Sequence, residues 1–360
     1  IDGVFEGSWY HYPPVKTKLS DIQNVDAIYI SHLHPDHFDE RYFEFSKDIP
    51  LIVLNEEPNF LKKKLIKMGY NNLIEIKNDE TVKFNEFNLT AYKPFVKHQY
   101  EESILGDLID SALVLNDNNI TAINFNDNVP DVKACTFLRE KFKQIDLVMV
   151  NYNSAGPYPS CFDNLNVKEK KKEHNRISMR NLEYLCNIMP ALKPKSILTS
   201  MGSYILGGKQ SYKNEYLGTT TGDECAVYLK ENLKIDANIF CLRDNQTFDL
   251  SAQKQLDKYE KIDINEMQNY IQSIKNEKYD YENDNMPDAS KLLDEVKLAS
   301  TKFLERVKKF NIQLKSNVFI KVGEENVMIV KGQDEERHLY CELDLRLLNR
   351  ILHKKAHWNN

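Results

Sequence analysis

The sequence lacks the signals of a membrane-spanning or secreted protein. No apolar run reaches the ~18 residues that a membrane-spanning helix needs. The first residues, Ile1 to Phe5, show neither the basic region nor the apolar core of a signal peptide. The six cysteines include no Cys-x-x-Cys pair, which argues against a zinc knuckle or a disulfide framework. These absences predict a cytoplasmic protein with reduced thiols and no transmembrane segment.

The excess of negative over positive charge is also small. The 360 residues have a formal net charge of -6, with 41% hydrophobic and 28% charged residues, which is ordinary for a globular protein. This balance lacks the basic footprint of a nucleic-acid-binding domain, so no nucleic-acid partner is predicted. The chain is long enough for a sizeable core and two domains. The sequence is compatible with a monomer and with an oligomer.

Short apolar runs separated by helical stretches predict a mixed fold. Buried strands are predicted at 26–31, 51–54, 146–150 and 196–199, and a hairpin at 111–125. Strands of both kinds with interleaved helices indicate sheets packed on each other and covered by helices.

Composition divides the chain into three parts. Residues 1–250 contain the predicted sheets and form the main domain. Residues 251–290 are polar and charged, which predicts a helical and polar link. Residues 291–360 contain a helix, paired strands and a final helix, which predicts a small α+β module.

A run of metal-ligating side chains follows the first predicted strand. His32 and His34 are two residues apart in an extended segment, so they point the same way and can share one metal ion. The chain turns at Pro35, and Asp36 and His37 face the other side of the pocket, where a second ion would bind. Imidazole and carboxylate suit zinc, iron or manganese, of which zinc is favoured. The sequence therefore predicts one or two divalent metal ions.

The His-x-His-x-Asp-His arrangement from His32 to His37 resembles the signature of the metallo-β-lactamase superfamily. Residues 30–39 resemble a narrower branch, which includes L-ascorbate-6-phosphate lactonase, N-acylphosphatidylethanolamine phospholipase D and the hydrolase-like part of CMP-N-acetylneuraminic acid hydroxylase. Residues 7–9, 13–14 and 357–360 add to the similarity. The resemblance implies an α+β fold in which an αββα metallo-β-lactamase sandwich is followed by the small C-terminal module.

The resemblance also implies ligands from later strand ends. His98 would be the third ligand of the first ion, and Asp127 would be the bridging aspartate. The last histidine of the family has no counterpart after the strand at 196–200. The second ion would then have only Asp36, His37 and Asp127 from the protein, so a site with one ion is an open alternative.

Two loops after late strands are predicted to border this pocket. They span residues 151–159 and 202–209, and their glycines, prolines and tyrosines are typical of walls that contact a ligand. The alternative is that each loop is a plain connection. The predicted substrate-binding residues are Tyr152, Ser154, Tyr158, Tyr204 and Lys209.

The favoured function is hydrolysis, by a metal-bound hydroxide, of an anionic small molecule. The substrate classes are a phosphorylated or nucleotide-linked sugar, a phosphodiester or a lactone. Asp36 is the predicted catalytic residue, because it would hold the second ion or act as a base toward the attacking water.

Two other functions are left open. One is a component of an oxidative system similar to CMP-sialic acid hydroxylase, and the other is a degenerate metal fold that only binds a ligand. The Cys-x-His and Cys-x-x-His ligand pairs of a Rieske centre are missing from this sequence. We expect an N-terminal portion to precede this sequence, and a Rieske module would lie there.

Overall fold

The structure is a computed structural model that describes residues 10–22, 24–106, 108–199 and 202–356. The sequence features at 7–9 and 357–360 lie outside the described residues. The chain divides into two compact units, one of Ile1–Tyr100 with Asp107–Glu277 and one of Glu101–Gly106 with Lys278–Asn360. Within the described ranges, no helix is long and apolar enough to cross a membrane. The six cysteines are free thiols.

The first unit begins with a small parallel sheet. Its strands are β1 (Ile28–Tyr29), β2 (Leu51–Asn55) and β3 (Leu73–Lys77), in that spatial order. Helix α1 (Phe60–Lys67) connects β2 to β3, and the side chain of Asn59 accepts a hydrogen bond from the Lys62 backbone N–H at its start. The strand predicted at 51–54 is confirmed as β2.

A larger sheet of seven strands follows, in the order β10-β9-β8-β7-β6-β5-β4. Neighbours from β4 to β7 are antiparallel, and neighbours from β7 to β10 are parallel. The predicted hairpin at 111–125 is confirmed, and Asn118 in its turn has a φ of 74°. The strands are β4 (Thr81–Phe84), β5 (Phe87–Tyr92), β6 (Ala112–Asn116), β7 (Thr121–Asn124), β8 (Leu147–Met149), β9 (Ser196–Leu198) and β10 (Asn238–Phe240).

Helices and short elements complete this unit. The helices are α2 (Lys97–Gly106), α3 (Val132–Phe142), α4 (Val167–Leu192), α5 (Gly222–Asn232) and α6 (Ile264–Ile274). The second half of α2 is grouped with the other unit. Strands β11 (Phe248–Asp249) and β12 (Lys254–Gln255) form a separate pair, and 3-10 helices span Leu19–Ile22 and Gly208–Tyr216. Strand β3 and helix α2 were not predicted from the sequence.

Three apolar clusters show how the layers are stacked. Leu65 of α1 packs on Val53 of the small sheet. Ile52 and Leu54, on the opposite face of the same strand, pack with Leu113 of the large sheet. The other face of the large sheet packs against α3, α4 and α5. The order of layers is therefore helix, small sheet, large sheet and helices, which is the predicted αββα sandwich.

The second unit is a small α+β module. Its elements are α7 (Ala289–Lys309), β13 (Ser316–Val322), β14 (Glu325–Val330), β15 (Asp334–Glu342) and α8 (Leu345–Leu352), with the sheet order β14-β13-β15. The core between helices and sheet contains Leu292, Val296, Ile320, Val327 and Leu348. The segment predicted as a link, 251–290, contains β12, α6 and a 3-10 helix at Asp280–Asn283.

Candidate metal centre

The predicted motif follows the carboxyl end of β1 and begins in the protein interior. The N–H of Ile30 donates to the Ile52 carbonyl at 3.1 Å, which continues the pairing with β2 beyond the strand itself. Ser31 and His32 follow, and each is only 1% exposed. The imidazole of His32 is therefore held inside the edge of the sheet, away from bulk water.

A turn then brings the third histidine back beside the first. After Pro35, the N–H groups of His37 and Phe38 both donate to the His34 carbonyl, at 2.9 and 2.7 Å. The ring centroids of His32 and His37 are 4.2 Å apart, and those of His32 and His34 are 4.6 Å apart. The six-residue motif thus gathers three imidazoles around one point.

A carboxylate that was not predicted from the sequence completes one side of the cluster. Asp110 lies just before β6 and is 7% exposed. Its Oδ1 is 3.3 Å from Nε2 of His32, which in turn is 2.7 Å from Nδ1 of His34. The donor atoms of His32, His34 and Asp110 lie within 4.8 Å of one another, which is close enough for all three to contact one ion.

Asp127, which follows β7, completes the other side. Its Oδ2 is 3.6 Å from His32 Nε2, 3.4 Å from His37 Nε2 and 3.9 Å from His34 Nδ1. The donor atoms of His32, His37 and Asp127 also lie within 4.8 Å of one another. Asp36 is at the rim, with its Oδ2 3.6 Å from His37 Nε2. His32 is shared by both groups.

A buried hydrogen-bond network ties the three segments together. The Ser111 hydroxyl donates to the Ser31 carbonyl at 2.8 Å. The carbonyl of Ser111 accepts from the Tyr29 hydroxyl at 2.9 Å and from Nδ2 of Asn126 at 3.2 Å. Because Ser111 follows Asp110 and Asn126 precedes Asp127, these contacts fix both carboxylates relative to the histidines.

The electrostatics of Asp127 suit a cation site. Burial acts to raise its pKa, but the hydrogen bond with His37 and the charges of His37, His32 and His34 outweigh burial and hold the pKa well below its usual range. On the other side of the carboxylate, Nδ2 of Asn151 donates to Oδ1 at 3.0 Å. Asp127 is therefore ionised at neutral pH.

The structure does not bring His98 into this cluster. His98 is exposed on the first turn of α2 and is absent from both donor groups found among the described residues. Its neighbour Gln99 faces the centre, where its Nε2 donates to Asp110 Oδ2 at 3.3 Å and also to the Asp127 carbonyl. Successive helical residues point about 100° apart, so only one of the two can face inward. The expectation for His98 assumed a strand end, whereas the structure places His98 on a helix.

Tyr152 was predicted to border the pocket, and the structure places it in the core. It is 2% exposed and packs in the core under the large sheet, and this burial raises the pKa of its hydroxyl. Because its predecessor Asn151 points toward Asp127, Tyr152 in the extended segment points the opposite way. In this structure Tyr152 is therefore a core residue.

Two residues of the same loop contact helix α4. The Ser154 hydroxyl accepts from Asn181 Nδ2 at 3.3 Å and from the Arg180 guanidinium at 3.5 Å. The Tyr158 hydroxyl donates to Glu173 Oε2 at 2.8 Å. These contacts hold the loop against the helix, so Ser154 and Tyr158 would have to exchange partners to bind a substrate.

The second loop contains the remaining predicted residues. Tyr204 is partly buried, and burial raises its pKa to about 12, while a hydrogen bond with the Gly156 backbone acts in the opposite direction. Lys209 is exposed near the start of the 3-10 helix at Gly208–Tyr216. Its side chain is the exposed cation of this loop.

Asn153 joins the two loops to a third. Its Nδ2 donates to the carbonyls of Gly202 and Thr220, each at 2.8 Å, and its Oδ1 accepts from the Thr220 N–H at 2.9 Å. Gly202 has a φ of 86°, and a Cβ there would lie 2.1 Å from Oδ1 of Asn151. This position therefore requires glycine, since any side chain would displace the amide that holds Asp127.

Three residues of the centre were not predicted individually: Asp110, Gln99 and Asn151. Asp110 is one of several aspartates in the sequence and is not at the end of a predicted strand. The sequence feature that could have indicated Asp110 is its position directly before Ser111 and a buried strand. Gln99 and Asn151 are amides whose role is visible only through their partners.

Known proteins are similar to this chain over part of its length. No protein-family model matches it. A protein of Mycolicibacterium smegmatis that is described as a "putative Rieske 2Fe-2S iron-sulfur protein" is 29% identical over 167 residues, which are 45% of this chain and 31% of that protein. A protein of Mycobacterium tuberculosis with the same description is 28% identical over the same shares. The match thus spans about a third of the length of these relatives.

The chain is also similar to solved structures of metallo-β-lactamase-fold proteins. CmlA, a diiron β-hydroxylase from Streptomyces venezuelae, has a TM-score of 0.42 and 14% identity over 62% of this chain and 45% of that one. The metallo-β-lactamase-fold protein YhfI from Bacillus subtilis has a TM-score of 0.39 and 14% identity over 63% and 78%.

Proposed function

We propose that this chain is a metal-dependent hydrolase of the metallo-β-lactamase fold. The observation that supports this most is the convergence of three imidazoles with the buried Asp110 and the partly buried Asp127 at one end of the sandwich. The proposed ligands are His32, His34, Asp36, His37, Asp110 and Asp127.

The donor set fits a divalent metal ion. Asp127 is held ionised beside the three histidines, and Asp110 is almost fully buried against His32. A buried carboxylate is costly unless a cation or several hydrogen-bond donors compensate for its charge. Imidazole and carboxylate together bind zinc, iron and manganese. An ion bound here would activate water as a nucleophile at neutral pH.

Individual residues of the chain have further roles in the proposed reaction. Asp36 is one-third exposed and lies at the rim beside His37, where it would hold the second ion or act as a base toward the attacking water. Asn151 and Gln99 hold the two sides of Asp127, through its Oδ1 and its backbone carbonyl. The interior of the sheet edge keeps bulk water away from His32.

The proposed substrate is an anionic small molecule. Lys209 supports this choice, because it is an exposed cation on the loop that starts at Gly202. That loop begins beside the centre, since a Cβ added at Gly202 would contact the side chain of Asn151. Tyr158, Tyr204 and Ser154 supply hydroxyl groups on the two loops. A phosphorylated or nucleotide-linked sugar, a phosphodiester or a lactone would each offer oxygen atoms for these groups.

A second candidate function is oxidative. Each donor group contains two histidines and one aspartate, which is the ligand set of non-haem iron oxygenases. The curated relatives are described as Rieske proteins, and a Rieske centre supplies electrons one at a time. In this candidate the chain would bind iron and receive electrons from a Rieske module.

Metal analysis joined to an activity screen tests both candidates. Protein purified without added metal would be analysed for zinc, manganese and iron, and then assayed on phosphodiesters, lactones and nucleotide sugars. We expect bound metal, hydrolysis of at least one substrate and loss of both in His34→Ala. His353→Ala is the matched control, because His353 caps α8 and its Nδ1 contacts the Asn349 carbonyl.

The outcomes separate the candidates. Iron with oxygen-dependent turnover would support the oxidative function over the hydrolytic one. A wild-type protein that binds none of the three metals would overturn both.

A further inference from the structure

Strand β15 lies at one edge of the three-stranded sheet in the second unit. The order of the strands is β14-β13-β15, and β15 pairs in parallel with β13. A strand at the edge of a sheet presents a row of main-chain N–H and C=O groups to which a further strand can be added. The outer side of β15 is therefore a candidate surface for association with another chain.

The regular part of this edge is short. Between two consecutive residues of β13, the partner on β15 changes from Asp334 to His338, so residues 335–337 bulge out of the ladder. These three residues are two glutamates and an arginine, and a charged bulge interrupts the pairing of an edge. A regular edge remains from His338 to Glu342, and we call these five residues the edge segment.

Apolar side chains of the edge segment are exposed. Leu339 is 38% exposed and Tyr340 is 58% exposed. The ring of Tyr340 stacks on that of Phe319 in β13, with the centroids 4.9 Å apart. Leu339 lies on the opposite face, because successive residues of a strand point to opposite faces. A further strand along this edge would therefore cover apolar surface on both faces of the sheet.

The edge segment is complementary to itself in an antiparallel pair. A two-fold axis at Tyr340 places the two Tyr340 rings opposite each other. Leu339 of each copy is then opposite Cys341 of the other copy, and His338 is opposite Glu342. Aromatic pairs, apolar pairs and pairs of a carboxylate with a hydrogen-bond donor favour the pairing of strands. Every position of the edge segment therefore has a suitable neighbour in a second copy.

The neighbouring registers are less favourable. Opposite residues in a two-fold pair lie on the same face of the sheet, so the nearest alternatives place the axis at Leu339 or at Cys341. An axis at Leu339 places Glu342 opposite Glu336, and like charges in opposite positions are unfavourable. An axis at Cys341 leaves His338 without a residue of β15 opposite it, because the strand ends at Glu342. Charge complementarity thus selects the first register.

We propose that the edge segment of β15 pairs antiparallel with the same segment of a second copy of this chain, about a two-fold axis at Tyr340. The two three-stranded sheets then continue as one sheet of six strands. Glu342 contacts Lys321 of its own copy at 3.1 Å, and a carboxylate has several acceptor positions. Glu342 can therefore keep this contact and also accept a hydrogen bond from His338 of the other copy.

The short edge segment supports a reversible dimer. An interface of this kind is smaller than those of permanent complexes, so we expect a dissociation constant in the micromolar range. The pairing uses residues of the second unit alone. The dimer therefore does not rest on the proposed function of the metal centre.

Sedimentation velocity of the whole chain tests the dimer. A concentration series across the micromolar range would be measured under reducing conditions, so that no disulfide contributes. We expect a reversible exchange between monomer and dimer. A wild-type protein that remains monomeric across the series would overturn the proposal, and so would a dimer that tolerates each of the disruptive substitutions below.

Tyr340→Lys tests the position of the axis. It places two ammonium groups opposite each other, and we expect the dissociation constant to rise at least about 10-fold. Met328→Lys is the matched control, because Met328 is 48% exposed on β14, at the other edge of the same sheet. It makes the same change of charge and should leave the dissociation constant unchanged. Equal weakening by both substitutions would contradict pairing through β15.

Two substitutions of His338 test the register. His338→Glu places a carboxylate opposite Glu342 and should weaken the dimer by about 10-fold, since this pair occurs twice in the dimer. His338→Lys places an ammonium group there and should keep or increase the wild-type affinity. His338 is exposed, so both variants should fold, which thermal unfolding would check. Equal affinity of the two variants would exclude the register centred at Tyr340, and this pair decides the proposal if Tyr340→Lys does not fold.

Discussion

Asn151 and Asp127 are joined by a hydrogen bond of 3.0 Å between Nδ2 and Oδ1, across 24 positions of sequence. This contact leaves Oδ2 of Asp127 turned toward the three histidines. The Asn151 side chain is in turn fixed by the Asn153 N–H, which donates to its Oδ1 at 2.9 Å. One amide therefore orients the carboxylate of the donor group formed by His32, His37 and Asp127.

Gly202→Ala is expected to disturb this contact without removing any polar group. The new Cβ would lie 2.1 Å from Asn151 Oδ1, and the φ of 86° is unfavourable for alanine. We expect a loss of about 1–3 kcal/mol in unfolding free energy and metal binding weaker by about 10-fold. Chemical denaturation and zinc titration measure the two effects. Gly156→Ala is the matched control, because a Cβ added there would have nothing within 4 Å; equal effects of both substitutions would contradict the contact.

Asp36→Ala is expected to stay folded and lose turnover. The side chain is at the rim of the centre and one-third exposed, so its loss leaves no core cavity and costs about 0.5 kcal/mol or less. Removal of a general base lowers turnover by at least about 100-fold. Steady-state kinetics on a substrate from the screen, with thermal unfolding as the check of folding, measure this. Near-wild-type turnover in the folded variant would remove Asp36 from the mechanism.

Asp110→Asn and His98→Asn distinguish the metal ligand that we propose from the structure from the ligand that the resemblance implies. Asp110 Oδ1 is 3.3 Å from His32 Nε2, whereas His98 is exposed on α2. We expect Asp110→Asn to bind metal at least about 10-fold more weakly and His98→Asn to bind it as the wild type does. The reverse pattern in metal titrations would restore His98 as the ligand.

His174 is expected to make stability depend on pH. Its Nδ1 accepts a hydrogen bond from the Gly218 N–H at 2.9 Å, and burial lowers its pKa, with Glu224 acting weakly in the opposite direction. The folded state therefore favours neutral His174, while the unfolded chain takes up a proton near pH 6.5. Stability is fully present above pH 6.5 and is lost as the pH falls toward the folded pKa.

His174→Asn tests this dependence, because the Asn oxygen can accept from Gly218 but does not titrate. Its unfolding free energy should fall less steeply than that of the wild type between pH 7 and pH 5, by at most about 1.4 kcal/mol per pH unit for one proton. His11, whose pKa is also lowered by burial, remains in both proteins and cancels in the difference. Parallel slopes for the two proteins in urea unfolding would show that His174 does not contribute.

Local patterns in the sequence were enough to predict the layers of the sandwich. β2 is a run of apolar residues, and the hairpins have Asn at turn positions that need a positive φ. The placement of β3 did not follow, because Leu73–Lys77 mixes apolar and charged residues and becomes a strand by pairing with β2. Helix α2 was missed for a similar reason, since its sequence has no clear apolar face.

One short stretch of sequence was enough to predict half of the proposed metal centre. His32, His34, Asp36 and His37 lie within six residues, and the geometry of one strand end and one turn is enough to bring them together. The other half depends on how distant segments of the chain are arranged in the fold. Asp110, Asp127 and Asn151 meet the motif because neighbouring strands end at the same edge and buried hydrogen bonds fix their register. Helix rotation and strand alternation turned Gln99 and Asn151 inward and His98 and Tyr152 away, and these orientations depend on contacts between segments distant in sequence.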